Sequence, residues 1–206
     1  MRKGAATMPI FAKRRAACLA VIAPVLVLAG CVSLGEDPPE SLLSLTPTRT
    51  AAAGEDTYGS VAQAIAVFEP DAPRKLDVVR VPVQVNDSTV AYLQDAVWVE
   101  KPARLFAALV SETIRASGSR LVIEGADIRH SAATRLTGQL LEMGYDASSG
   151  SVVVRFDAIL QLPDGQVRTR RFEAEVNGVL PEAMDVGPAL NRAANQVAGE
   201  VADWVG

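Results

Sequence analysis

Hydrophobic and polar positions divide the chain into one short continuous apolar run, a polar gap and a long stretch of periodic pattern. Ala16–Ala29 (AACLAVIAPVLVLA) carries no charge and is interrupted only by Pro24. Ser41–Leu45 is a brief apolar run stopped before Pro47, and residues 49–60 read as a loop. Strand pattern begins at Ala62–Phe68, which ends at Glu69-Pro70, and resumes over Leu76–Val85 with valines at 78, 79, 81, 83 and 85. Asn86-Asp87-Ser88 punctuates it. Thr89–Leu93 and Ala96–Val99 then read as two short strands in a tight hairpin around Gln94-Asp95.

Pro102 stands at a typical first helical position. Leu105, Phe106, Leu109, Val110 and Ile114 form a wide apolar stripe on one face of the helix it opens. Gly118 follows where a left-handed cap is expected, and Ser119–Glu124 reads as the next strand. From Thr134 the period is two. Gln139–Tyr145, Val152–Leu162 and Gln166–Val176 are separated by DASSG and by Pro163-Asp164-Gly165, both turn sequences. In the middle strand Val152, Val154, Phe156, Ala158, Leu160 and Leu162 share one face, while Arg155, Asp157 and Gln161 fall on the other. A closing helix carries Val186, Leu190, Ala193, Val197, Val201 and Trp204, with Gly187-Pro188 expected to delay its start. This order implies an α/β fold, a mixed β-sheet with helices packed on it.

The apolar run near the start has a different meaning. Its fourteen residues would span about 21 Å as a helix, short of the ~30 Å hydrocarbon core of a bilayer. Residues 1–15 hold Arg2, Lys3, Lys13, Arg14 and Arg15 and no acid. A basic stretch followed by a short apolar one is the pattern of a secretory signal peptide. Leu28-Ala29-Gly30-Cys31 then forms a lipobox. Small residues let the peptidase approach the backbone, and the thiol accepts diacylglycerol before cleavage in front of it. The expected organisation is a signal peptide over 1–30, a lipidated N-terminus and flexible tether over 31–40, and one compact domain over 41–206. Acylated Cys31 would anchor the chain firmly, because each buried methylene contributes ~0.8 kcal/mol. Val32 follows the cysteine where enterobacterial lipoproteins kept in the inner membrane carry Asp, which favours the outer membrane.

Charge and cysteine content narrow the function. Of 206 residues, 49% are hydrophobic and 21% charged, an ordinary globular balance that points to one domain. All 24 acidic residues lie after Cys31 and five of the 20 basic ones before it, so fifteen bases face 24 acids and the mature part carries −9. Nucleic acid is excluded as a main partner, because its binding needs Lys and Arg to neutralise phosphates. Cys18 lies in the segment to be removed and Cys31 is blocked by lipid, so no disulfide framework or thiolate metal site is expected.

Catalytic signatures do not emerge. His130 has Asp127 nearby but no nucleophile or metal-ligating companion. G-x-S-x-G, P-loop and HExxH motifs are missing from the sequence. Glu173 and Glu175 share a strand face, as solvated carboxylates do. Arg168, Arg170 and Arg171 form the basic cluster of the mature part, suited to a solvated strand edge or to an anionic partner. Tyr92 and Trp98, in the hairpin before the first helix, are candidate anchors for a protein partner, with burial in the core the commoner fate of aromatics at such positions.

Residues 41–206 resemble the ABC-type transport auxiliary lipoprotein family. The likeness is carried by the lipobox, LLSLTP, LDVVRVPV, STVAYLQDAVWVEKPARLFAALVSETI, GQLLEMGYDASSGSVVVRFDAIL and the terminal ALNRAANQVAGEVADWV. The resemblance implies an α/β/α layered mixed sheet, no enzymatic activity and no cofactor. It also implies partners: a protein with the mammalian-cell-entry (MCE) domain, and its ABC permease and ATPase, together moving lipids between inner and outer membranes. A homo-oligomer fits the family, although no repeat in the sequence specifies a ring. The expectation is therefore a non-enzymatic lipoprotein on the periplasmic side, held to the outer membrane. The alternative is a structural assembly lipoprotein of another outer-membrane complex.

Overall fold

The computed structural model describes residues 41–54, 56–124 and 131–206. The signal peptide, Cys31, the tether, Asp127 and His130 lie outside the described residues. Six strands form one mixed sheet: β1 (Ile65–Val67), β2 (Arg80–Asn86), β3 (Thr89–Val97), β4 (Thr134–Asp146), β5 (Ser151–Gln161) and β6 (Val167–Asn177). Among the described residues two helices accompany the sheet, α1 (Pro102–Ser117) and α2 (Ala183–Val205).

The 13-residue β4 is the axis of the sheet. One edge pairs antiparallel with β5 along its length. The other edge is shared. β1 runs parallel beside Thr134–Leu136, and β2 runs parallel beside Tyr145 and Asp146. Between them the Asp71 N–H donates to the Gly138 carbonyl and the Leu140 N–H donates to the Asp71 carbonyl. The strand order is β3-β2-β4-β5-β6, with β6 at the end.

Local chemistry sets the connections. Asn86 Oδ1 accepts from the N–H and hydroxyl of Ser88, at 3.0 and 3.1 Å, closing the β2–β3 turn. Asp146 Oδ1 does the same for Ser148 at 2.8 and 2.6 Å, and Gly150 supplies the positive φ of 65° that ends that turn. The Ser148 hydroxyl and N–H hold the Asp146 carboxyl below the usual carboxylate range. Pro102 opens α1, and Gly118 at φ 67° closes it with its N–H on the Arg115 carbonyl.

Alternation then decides the core. Val152, Val154, Phe156, Ala158 and Leu160 of β5 are all buried, together with Leu136, Leu140, Met143 and Tyr145 of β4 and Phe172 and Ala174 of β6. Both helices cover this face. Phe106 of α1 meets Phe156 at 5.2 Å between ring centroids, and Trp204 of α2 meets Phe172 at 5.6 Å, each edge to face. Because Phe156 and Phe172 are direct cross-strand partners, α1 and α2 lie on the same side of the sheet and pack on each other. The mixed sheet with helices packed on it is as expected, but among the described residues its layering is two-deep, with both helices on one face. The opposite face of β5 (Val153, Arg155, Asp157, Ile159 and Gln161) mixes apolar, charged and polar residues, and neither α1 nor α2 covers it among the described residues.

Three local expectations need correction. Thr89–Val97 is one strand, and the hairpin turn lies at Asn86–Ser88 instead of Gln94-Asp95. Pairing jumps from Pro82↔Tyr92 to Arg80↔Val97, so residues 93–96 form a bulge in which Asp95 takes φ 56°. Ser119–Glu124 contributes a single parallel bridge, Val122 to Ile65, instead of a strand. Gly187-Pro188 does not delay α2, which starts at Ala183. Gly187 answers a packing need: a Cβ there would stand 2.7 Å from Leu43 Cδ2.

That contact belongs to a strap. The Leu43 N–H donates to the Val97 carbonyl and the Val99 N–H to the Leu43 carbonyl. Thr46 and Thr48 donate backbone N–H bonds to Asn191 Oδ1 and Asn195 Oδ1, both at 2.8 Å, and Asn195 Nδ2 returns one to the Thr46 carbonyl at 2.9 Å. The Ala51 N–H reaches Glu112 Oε1 on α1 at 2.8 Å. The first described residues are thus laced across both helices. Replacing Asn195 with alanine should cost about 1 kcal/mol and remove amide-exchange protection at Thr48 while sparing β5. Unchanged protection at Thr48 would show that the strap holds without the asparagine.

Candidate functional site

The helix-free face of the sheet is where a partner can reach side chains on a rigid frame. It is crossed by ion pairs between neighbouring strands. Arg155 on β5 bonds Glu173 on β6, and Arg171 on β6 bonds Asp157 on β5 through two nitrogens at 2.6 and 2.7 Å. Lys75, in the turn before β2, reaches Glu142 of β4 at 2.6 Å. Beside that pair a depression of about 360 Å³ is lined by Lys75, Pro82, Gln84, Glu142, Gly144 and Arg155. Gly144 is required there because a Cβ would stand 2.4 Å from the Pro82 carbonyl oxygen.

These pairs leave electrostatic marks. The Arg155 guanidinium bonded to Glu173 holds its carboxyl below the usual range, and Arg171 does the same to Asp157. A folded-state value below the unfolded one means that the pair stabilises above the ordinary carboxylate pKa of about 4, and that this is lost as pH falls through the folded value. Solvent screens pairs this exposed, so each contributes little. NMR titration should place the Asp157 and Glu173 midpoints below those of free carboxyls, with Arg155→Gln moving Glu173 back up. A Glu173 midpoint unmoved by that change would refute the assignment.

Sequence-derived candidates fare differently. Tyr92 lies on the helix-free face of β3, half-buried, with the Arg80 guanidinium 5.3 Å from its ring centroid. It is available to a partner. Trp98 is 2% exposed because Leu43 pairs beside it, and its indole N–H has no acceptor among the described residues. Burial withdraws it from any surface. Arg168 and Arg170 lie on the helix side of β6, stacked over Trp204 and Phe172 at 4.9 Å each, whereas Arg171 points the other way to Asp157. The cluster is therefore two separate surfaces. Alternation carried that split, which is readable once β6 is known as a strand.

Among the described residues no three His, Cys, Asp or Glu side chains are grouped to hold a metal. Nor is any helix of them long and apolar enough to cross a membrane. What this face offers is shape, charge pairing and one aromatic ring, the means of binding.

A family model described as an ABC-type transport auxiliary lipoprotein component matches residues 43–202. The chain belongs to this family. An auxiliary transport lipoprotein of this kind is envelope-associated and works with an ABC-type transporter. The crystal structure of protein XCC0632 from Xanthomonas campestris is similar at TM-score 0.65 and 18% identity, over 80% of this chain and 94% of that one. A second crystal structure, of an uncharacterized protein, is similar at 0.60 and 14%, over 81% and 100%. At such identities the likeness concerns the fold. No curated protein matches the chain.

Proposed function

We propose that this auxiliary lipoprotein is a non-catalytic docking module, anchored through acylated Cys31 to the periplasmic face of the outer membrane. There it binds an MCE-domain protein whose ABC permease and ATPase drive lipids between the two membranes. The observation that carries the reading is the family match across residues 43–202. The helix-free face supports it: Arg155 pairs with Glu173 and Arg171 with Asp157 across its strands, and Tyr92 stands at its border. A face of this kind offers contact area without the nucleophile and base that chemistry needs. The acidic mature chain likewise suits a protein partner better than a polyanion.

The test is lipid transfer. In cells lacking the chain, movement of labelled phospholipid between inner and outer membranes should slow. The intact chain should restore it, and Cys31→Ala should not. Transfer at the normal rate without the chain would refute the reading, as would full rescue by a variant that never reaches a membrane.

A further inference from the structure

β6 ends the sheet, and among the described residues its outer backbone edge pairs with nothing. An eleven-residue open edge invites another strand. Natural edges are commonly protected by like charges, and the charges on β6 are arranged otherwise. Its sequence, VRTRRFEAEVN, has Arg168, Arg170 and Arg171 before Phe172 and Glu173 and Glu175 after it. Reversed, the strand is its own electrostatic complement.

We infer that β6 pairs antiparallel with β6 of a second copy of this chain, with the two-fold axis at Phe172. Directly opposite residues in an antiparallel pair project to the same face. In this register Arg171 stands opposite Glu173 of the other copy, and Thr169 opposite Glu175. Each new pair continues one already present. Asp157 is the cross-strand partner of Arg171, and Arg155 that of Glu173. Two rows of four alternating charges result, each running Asp157–Arg171–Glu173–Arg155 from one copy into the next. A slip of two residues one way sets Arg171 against Arg171, and the other way sets Glu173 against Glu173. The charges therefore select one register. On the helix side, Arg168 and Arg170 face Val176 and Ala174, so no like charges meet there. A two-fold edge pairing is also closed: it uses the same edge of both copies and stops at two.

Two measurements on the full acylated chain in detergent micelles test this. Sedimentation should give a dimer. Thr169 has no charged partner within its own sheet, being opposite Ile159, so charge can be placed there without breaking an internal pair. Thr169→Glu would oppose Glu175 twice per dimer and Thr169→Lys would attract it. The first should weaken dimerisation about fivefold and the second strengthen it by a similar factor. A double variant, Thr169→Cys with Glu175→Cys, should be joined by a short thiol-reactive crosslinker into a covalent dimer and nothing larger. Within one chain the two sites are about 20 Å apart, too far to bridge. The unaltered chain, which keeps Cys31, is the blank, and Asp164→Cys in the turn before β6 controls for random collision. A monomer, both Thr169 variants shifting the same way, crosslinking no greater than at Asp164, or a ladder of larger products would each overturn the proposal.

Discussion

Changing Cys31 to alanine should release the chain from the membrane fraction altogether, while leaving its fold intact. In the proposed anchor the thiol accepts the lipid, and the segment that follows it, VSLGEDPPE, is short and acidic. Nothing in it replaces acyl chains that each contribute ~0.8 kcal/mol per buried methylene. The uncleaved apolar run would span only about 21 Å and cannot substitute as a spanning anchor. Fractionation of envelope from soluble periplasm reads the outcome. A Cys31→Ala chain that still sediments with membranes would show that another surface holds it there. The domain should be indifferent to the change, because the described strap begins ten residues later and is fixed by Asn191, Asn195 and Glu112.

The largest stability loss is expected from Phe156→Ala. Phe156 is 3% exposed, sits opposite Phe172 in the β5–β6 ladder and packs edge to face on Phe106 of α1. Truncation removes one of the contacts between sheet and first helix and leaves a cavity in the buried core. Such replacements cost about 3–5 kcal/mol, a large share of the 5–15 kcal/mol that holds a domain of this size. Ile159, on the same strand but 38% exposed on the helix-free face, should lose far less on truncation to alanine. Denaturant unfolding of the two variants measures the contrast. Equal losses would mean that the two faces of β5 are not divided as the structure shows.

What the sequence made legible was whatever depends on a residue's own backbone or on strict alternation. Pro102 and Gly118 bounded α1 because each constrains its own φ. The two faces of β5 followed from period two, and the turn at Asp164-Gly165 from its residue types. The misreadings share a cause, which is contact across long chain separation. Gln94-Asp95 does mark an irregularity, yet pairing with β2 carries the strand through it as a bulge. Gly187 looked like a helix breaker and is a point of close approach for Leu43. Trp98 fits a surface anchor or a core residue by sequence, and the strap beside it decides for the core. The two-layer arrangement was likewise hidden, since an apolar helical stripe does not say which side of a sheet it covers. Of the candidate contacts, Tyr92 stands on an accessible face, and the basic cluster of β6 divides between the two faces of its strand.

In the proposed role this lipoprotein binds the transporter instead of catalysing a reaction. That role is tested most directly by crosslinking intact envelope and purifying the chain with everything attached to it. An MCE-domain protein should be recovered together with its ABC permease, and both should be lost when Cys31 is changed to alanine. Recovery of an unrelated outer-membrane complex in their place would contradict it.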